Sequence, residues 1–159
     1  MSKKTILITS VGSQVGEGII RSIGTRRDLL KIVGLNSTAE NPNNFQCDTT
    51  YLVPELSNNK AFEQKFAEII SQERPSLVLS GRDDDVIMLS KLGRDDPELK
   101  QLLLSGSYDL CKTIRSKLDT YRYAYSNDLP FCFTIDVSDE DIETQAAELI
   151  NSHGWPVLI

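Results

Sequence analysis

The chain has 159 residues, 40% hydrophobic and 25% charged, with a net charge of −6, the make-up of one ordinary domain that can bury a core without staples. No apolar run approaches the ~20 residues needed to cross a bilayer, and the stretch after the basic Met1-Ser2-Lys3-Lys4 stops at Ile8, too short for a signal peptide. Six of the 23 acids and none of the 17 bases fall in residues 136–159, so the acidic excess sits there, no basic stripe balances it, and a nucleic-acid partner is not expected.

In chain order, Thr5-Ile6-Leu7-Ile8-Thr9 is a near-continuous apolar run, as a strand buried on both faces requires. A glycine turn comes next, Gly12-x-x-x-Gly16-x-Gly18, and then Ile19, Ile20 and Ile23 share a helical face. Ile32–Asn36 is a second buried strand, Asn41-Pro42-Asn43-Asn44 a loop, and Thr49–Val53 a third strand ended by Pro54. Phe62, Phe66, Ile69 and Ile70 mark an amphipathic helix. Leu77–Leu79 is a fourth strand, and Gly81–Asp85 turns into a helix carrying Val86, Leu89 and Leu92. Alternating strand and helix implies an α/β fold, a Rossmann-like open parallel sheet.

Leu102–Leu104 reads as a fifth short strand, succeeded by helical sequence through about 107–126 and another strand at Phe131–Thr134. Ser138-Asp139-Glu140-Asp141 resembles a capping box opening a last helix, with Gly154 as its C-cap. Trp155–Ile159 reads as the start of a further strand, so the chain is expected to be truncated, with an open edge that offers pairing to a second copy, a homo-oligomer. Cys47, Cys111 and Cys132 have no paired spacing and read as reduced thiols in a cytoplasm. The single histidine, His153, argues against a histidine-ligated metal or a histidine triad and reads as a helix-dipole partner.

The candidate ligand residues lie where strands end. Glycines after a first strand let backbone N–H groups approach an anion, or simply permit a tight turn; Gly12, Ser13 and Gly16 are the candidates there. Asn36 ends the second strand, where a dinucleotide-binding domain usually carries an acid for the ribose. Asp83-Asp84-Asp85 comes after the fourth strand and can hold an ammonium or Mg²⁺, or can serve as a cap plus first-turn acids. Arg82 beside it can meet a substrate carboxylate in a bidentate contact. Tyr108-x-x-x-Lys112 mimics a short-chain dehydrogenase pair, but Leu79-Ser80-Gly81-Arg82 stands where that family expects an Asn-Ala-Gly motif.

Taken in order, ILITSVGSQVGEGIIRSI, DTTYLVPE, RPSLVLSGRDDDVIMLSKL, SKLDTYRYAYSNDLPFCFT and GWPVLI resemble the N-terminal region of ATP-grasp ligases, the group similar to the large subunit of carbamoyl phosphate synthase. The resemblance implies a Rossmann-like pre-ATP-grasp domain over residues 1–115 and the opening elements of an ATP-grasp domain over 116–159. It implies an ATP-dependent carboxylate–amine ligase using ATP and Mg²⁺, whose catalytic ATP-grasp body and metal-binding acids lie outside this chain. The partners it implies are a small-molecule carboxylate and that missing domain, with no membrane. Lys117 falls at the family's phosphate-binding basic position, though Ser116 replaces the usual preceding Asp. Gly12, Ser13, Gly16, Arg82, Asp83, Asp84 and Asp85 would face the substrate. The residues in hand are expected to fold without catalysing, and to bind no nucleotide tightly alone. The alternatives are an NAD(P)-binding oxidoreductase domain and a non-enzymatic ligand-binding module.

Overall fold

The computed structural model describes residues 3–154, which fall into two units, Met1–Cys111 and Lys112–Ile159. In the first unit, strands β1 (Lys4–Thr9), β2 (Leu30–Asn36), β3 (Thr49–Leu52) and β4 (Leu77–Ser80) form one parallel sheet in the order β3-β2-β1-β4. Their apolar runs match burial on both faces. Leu7, Val33, Leu35 and Val78 join one cluster, while Ile6, Ile8 and Ile32 join another, as side chains of a strand alternate between faces.

Helix α1 (Gln14–Ile23) covers the second cluster with Ile19, Ile20 and Ile23. Helices α2 (Asn59–Glu73) and α3 (Asp83–Asp95) cover the first with Phe62, Phe66, Ile69, Met88 and Leu89. Phe62 and Phe66 stack at 5.9 Å. Burying each such side chain contributes roughly 1.5–3 kcal/mol. The chain steps outward from β1 through β2 to β3, then crosses to β4 on the other side of β1. That reversal makes a topological switch point, outside whose carboxyl edge open sheets bind ligands.

A polar triad ties α2 to the sheet. Lys31 Nζ lies 2.5 Å from Glu73 Oε2, and Tyr51 donates to Glu73 Oε1 at 2.6 Å. Burial pushes the Glu73 carboxyl up, but the hydrogen bonds from Lys31 and Tyr51 and the Lys31 charge outweigh it and hold it below its usual value.

The fifth strand expected at Leu102–Leu104 does not form. Helix α4 (Pro97–Leu102), capped by Asp96, takes up the start of that run, and only an isolated bridge joins Leu103 to Val78. Leu102 and Leu103 pack against the core instead, and Leu104 is exposed. Helix α5 (Tyr108–Arg115) comes next, and the Arg94 guanidinium lies 5.0 Å from the Tyr108 ring centroid.

In the second unit, helix α6 (Lys117–Ser126) is capped by Ser116, whose hydroxyl accepts from the Asp119 N–H at 3.1 Å. Phe131–Thr134 is not a strand: it has no ladder partner among the described residues, and its Phe133 ring packs on Tyr121 and on His153. The capping box at Ser138 is also absent. Ser138 donates its N–H and hydroxyl to Asp136, and helix α7 (Ile142–His153) starts after Asp141, which makes no side-chain cap. His153 occupies the last turn of α7, and Gly154 caps it with a positive φ of 77°. The strand expected at Trp155–Ile159 lies outside the described residues. Among the described residues, no helix is long and apolar enough to cross a membrane.

Candidate functional site

A cleft of about 290 Å³ opens at the carboxyl edge of the sheet in the first unit. Each strand contributes the residues just beyond its end: Ser10 after β1, Asn36 and Ser37 at the end of β2, Val53 to Ser57 after β3, and Arg82, Asp84 and Asp85 after β4. Leu35, Val53, Leu56 and Phe62 give it an apolar floor.

Asp85 anchors one wall. It is 1% exposed, and its Oδ2 accepts from Thr9 Oγ1 at 2.7 Å, with a second hydrogen bond from the Ser10 side chain. Burial pushes the Asp85 carboxyl up; those hydrogen bonds and the Arg82 charge oppose the rise, and Asp84 adds to it. Ser10 itself has φ 43°, a left-handed conformation rarely taken by residues other than glycine.

The β1–α1 and β4–α3 turns are bound together. Ser13 caps α1 by accepting from the Gly16 N–H at 2.9 Å, and donates to the Gly81 carbonyl at 2.7 Å. A Cβ on Gly81 would lie 2.4 Å from the Thr9 carbonyl oxygen, so only glycine permits this approach. Gly16 answers to packing in the same way: its Cβ would meet the Ser10 and Val11 carbonyl oxygens at 2.8 and 2.7 Å. A Cβ on Gly12 would meet Asn36 and Asn41 side chains.

An asparagine network closes over that turn. Asn43 is buried and donates to the Val11 carbonyl, Asn41 donates to the Gly12 carbonyl, and Asn36 donates to Asn44 at 2.8 Å. The remaining Asn36 oxygen accepts from the Thr38 N–H. Asn36 is thus engaged by the protein where a ribose would need it.

Of the residues singled out in the sequence, Arg82, Asp84 and Asp85 line the cleft, whereas Gly12, Ser13, Gly16 and Asp83 are not among its lining residues. None of the three acids caps α3, whose N-cap position is Arg82. Lys117 is exposed at the first position of α6, in the other unit. Among the described residues no group of three His, Cys, Asp or Glu is placed to hold a metal ion; Asp85 is turned to Thr9 and Ser10, so the acidic triplet does not fit Mg²⁺. Ser37, Glu55 and Ser57 were missed in the sequence. The signal that finds them is the edge rule applied to all strands: the loops leaving the carboxyl ends of parallel strands meet at one edge.

No family model matches this sequence, and no curated protein matches it. Solved structures do match its fold. N5-carboxyaminoimidazole synthetase from Staphylococcus aureus, solved with ADP, superposes over 98% of this chain with a TM-score of 0.64 at 18% identity. An ADP complex of N5-carboxyaminoimidazole ribonucleotide synthetase covers 98% with a TM-score of 0.62 at 22% identity. The L-amino acid ligase from Bacillus licheniformis covers 94% with a TM-score of 0.60 at 12% identity. The chain therefore shares an α/β fold with these synthetases and this ligase. It spans 37%, 37% and 42% of the lengths of those three proteins.

Proposed function

We propose that this chain is the substrate-side N-terminal region of an ATP-dependent carboxylate–amine ligase, of the carbamoyl phosphate synthase-like type. The observation that carries the reading is the match of nearly the whole chain to synthetases solved with ADP. In such a reaction a carboxylate oxygen attacks the γ-phosphorus of ATP, releasing ADP and leaving an acyl phosphate. An amine then attacks the acyl carbon, phosphate departs, and the amine loses its proton.

In this reading the cleft supplies orientation. Arg82 and Asp84 touch the substrate, and Asp85, Ser13, Gly12 and Gly16 hold the wall that presents them. Positioning of this kind lowers the barrier by removing the entropy of encounter. Lys117, unconfined at its helix start, contributes charge to the nucleotide phosphates. The described acids do not fit Mg²⁺, so no ligand role for it falls on them. The free cysteines, Cys47, Cys111 and Cys132, agree with a cytoplasmic place. A dinucleotide-binding role is less well supported, because Asn36 is engaged by its own loop and about 290 Å³ is at the small end for a ligand pocket.

The test is ADP release by the complete protein against a panel of carboxylates and amines. Stoichiometric ADP and phosphate that require both partners support the reading; tight NAD(P) binding with no ATP turnover overturns it. Lys117→Ala should raise the KM for ATP about tenfold, the loss of one charged hydrogen bond of ~1.5 kcal/mol. An unchanged KM removes Lys117 from the site.

A further inference from the structure

The sheet of the first unit has two edges, and the chain treats them differently. At β4 it covers its own edge: Leu103 bridges Val78, and the Leu104 N–H donates to the Val78 carbonyl at 3.3 Å. At β3, among the described residues, the ladder runs to β2 alone. The other side of Thr49-Thr50-Tyr51-Leu52 therefore presents unpaired backbone groups. Natural edges are blunted by lysine, proline or an inward-pointing charge, and this strand has none of them. From Asn41 to Pro54 the one charged side chain is Asp48, and its Oδ2 is turned inward to accept from the Ile32 N–H at 2.7 Å.

Apolar surface flanks this open edge. Phe45, in the turn Pro42–Gln46, is 87% exposed, and Leu52 is 54% exposed. Both border a depression of about 430 Å³ whose walls include Ala39, Cys47, Thr49 and Thr50. A chain of net charge −6 meets a copy of itself with least repulsion where its surface is neutral, as it is here. The two ends of the edge are also complementary in charge. Arg27 donates to the Gln46 carbonyl ahead of β3. Glu55, exposed just past its end, accepts only a long hydrogen bond from Ser57 at 3.4 Å and has no cationic partner among the described residues.

We infer that the β3 edge is a self-association surface, on which a second copy of this chain pairs its own β3 antiparallel across a two-fold axis. With that axis between Thr50 and Tyr51, Thr49 stands opposite Leu52 of the second copy, and Thr50 opposite its Tyr51. The same register sets Gln46, with Arg27 beside it, opposite Glu55 of the second copy. An isologous interface repeats each contact, so two such charge pairs form, and the exposed Phe45 and Leu52 are covered from both sides. Two four-stranded sheets become one. The interface is at the small end of specific ones, so association depends on concentration. It needs no nucleotide and no turnover, and it stands or falls apart from the ligase reading.

The experiment is sedimentation equilibrium of the 159-residue chain over a concentration series, with amide hydrogen exchange at the two ends of that series. The expected result is a reversible step from the 17.8 kDa monomer to a dimer, with slower exchange in Thr49–Leu52 at the high end. Leu52→Lys places a charge on the edge and should weaken association by about tenfold or more. Glu55→Arg sets like charges together at both ends and should weaken it by about fivefold. Both side chains are exposed in the single chain, so an unchanged far-ultraviolet circular dichroism spectrum confirms each fold. The inference is overturned if the chain stays monomeric up to its solubility limit, or if the β3 amides exchange equally fast in monomer and dimer. It is also overturned if either variant associates as the parent does, the outcome expected of a dimer formed through the exposed aromatics of the second unit.

Discussion

The two units of this chain use apolar residues in opposite ways. Among the described residues, the Met1–Cys111 unit holds every buried hydrophobic side chain except Ala124. In the Lys112–Ile159 unit, Ile114, Tyr123, Tyr125, Leu129, Phe131, Phe133 and Val137 are all exposed, and α7 buries nothing. The first unit is therefore held by a shared interior, and the second by local devices: the Ser116 cap, the Tyr121–Phe133–His153 ring contacts, and hydrogen bonds within turns. Helices of this length are marginal in water without tertiary packing. A cleft that must keep its walls at fixed distances belongs on the first kind of unit.

The sharpest way to break that contrast is to cut one aromatic from each unit. Phe66→Ala, in the core at 2% exposure, should cost ~3–5 kcal/mol. Phe133→Ala, at 54% exposure, should cost less than ~1 kcal/mol. Urea denaturation read by far-ultraviolet circular dichroism measures both, and equal losses would erase the distinction.

Next in size is the packing of the two turns. Gly81→Ala should destabilise by ~1–3 kcal/mol, because its new Cβ meets the Thr9 and Ser10 carbonyl oxygens. Gly16→Val should do the same at the Ser10 and Val11 backbone, through stability and not through a blocked ligand. Gly18→Ala, where nothing lies within reach, is the control and should be neutral or stabilising as helix propensity predicts. A Gly16→Val chain as stable as the parent would contradict the packing role.

The polar triad gives a pH signature. Burial raises the Glu73 carboxyl, and the Lys31 and Tyr51 hydrogen bonds more than reverse it. Its folded pKa is below the unfolded one, so its stabilisation is present above the usual glutamate value of about 4.3 and is lost as pH falls through the folded pKa. Glu73→Gln should cost ~1.5–3 kcal/mol at neutral pH, with the difference from the parent shrinking on acidification. Asp85 has the opposite sign: its carboxyl is raised, so its charge costs stability at neutral pH and that cost is relieved as pH falls. Parallel urea midpoints for Glu73→Gln and Asp85→Asn across pH should therefore diverge; curves of the same slope would contradict both assignments.

The smallest expected effect is in the second unit. Ser116→Ala removes the hydroxyl that caps α6 and should cost ~1 kcal/mol of local helix stability, seen as faster amide exchange in Lys117–Ser126 with no change in the first unit.

The sheet was legible in the sequence because its strands are apolar on both faces, and the helices of the first unit because Ile20, Phe62, Phe66, Ile69 and Leu89 recur at helical spacing. Leu102–Leu104 and Phe131–Thr134 look equally apolar, yet neither becomes a strand. An apolar run specifies a strand only if a neighbour offers a ladder, and Asp96-Pro97 starts a helix across the first of these. The acidic triplet was visible at the right edge, but not that Asp85 turns inward to Thr9 while Asp84 faces the cleft. Glu55, Ser37 and the asparagine network over Gly12 were invisible for the same reason: their roles arise where separate strands end side by side, which no local pattern encodes.

The central claim is that one unit carries both the core and the cleft. Native-state hydrogen exchange, residue by residue, tests it most directly, because protection scales with the free energy of opening. Amides of β1, β2, β4 and α3 should open only with global unfolding of the first unit, while those of α6 and α7 exchange through local opening at far lower cost. Protection in α7 equal to that in β1 would contradict the account.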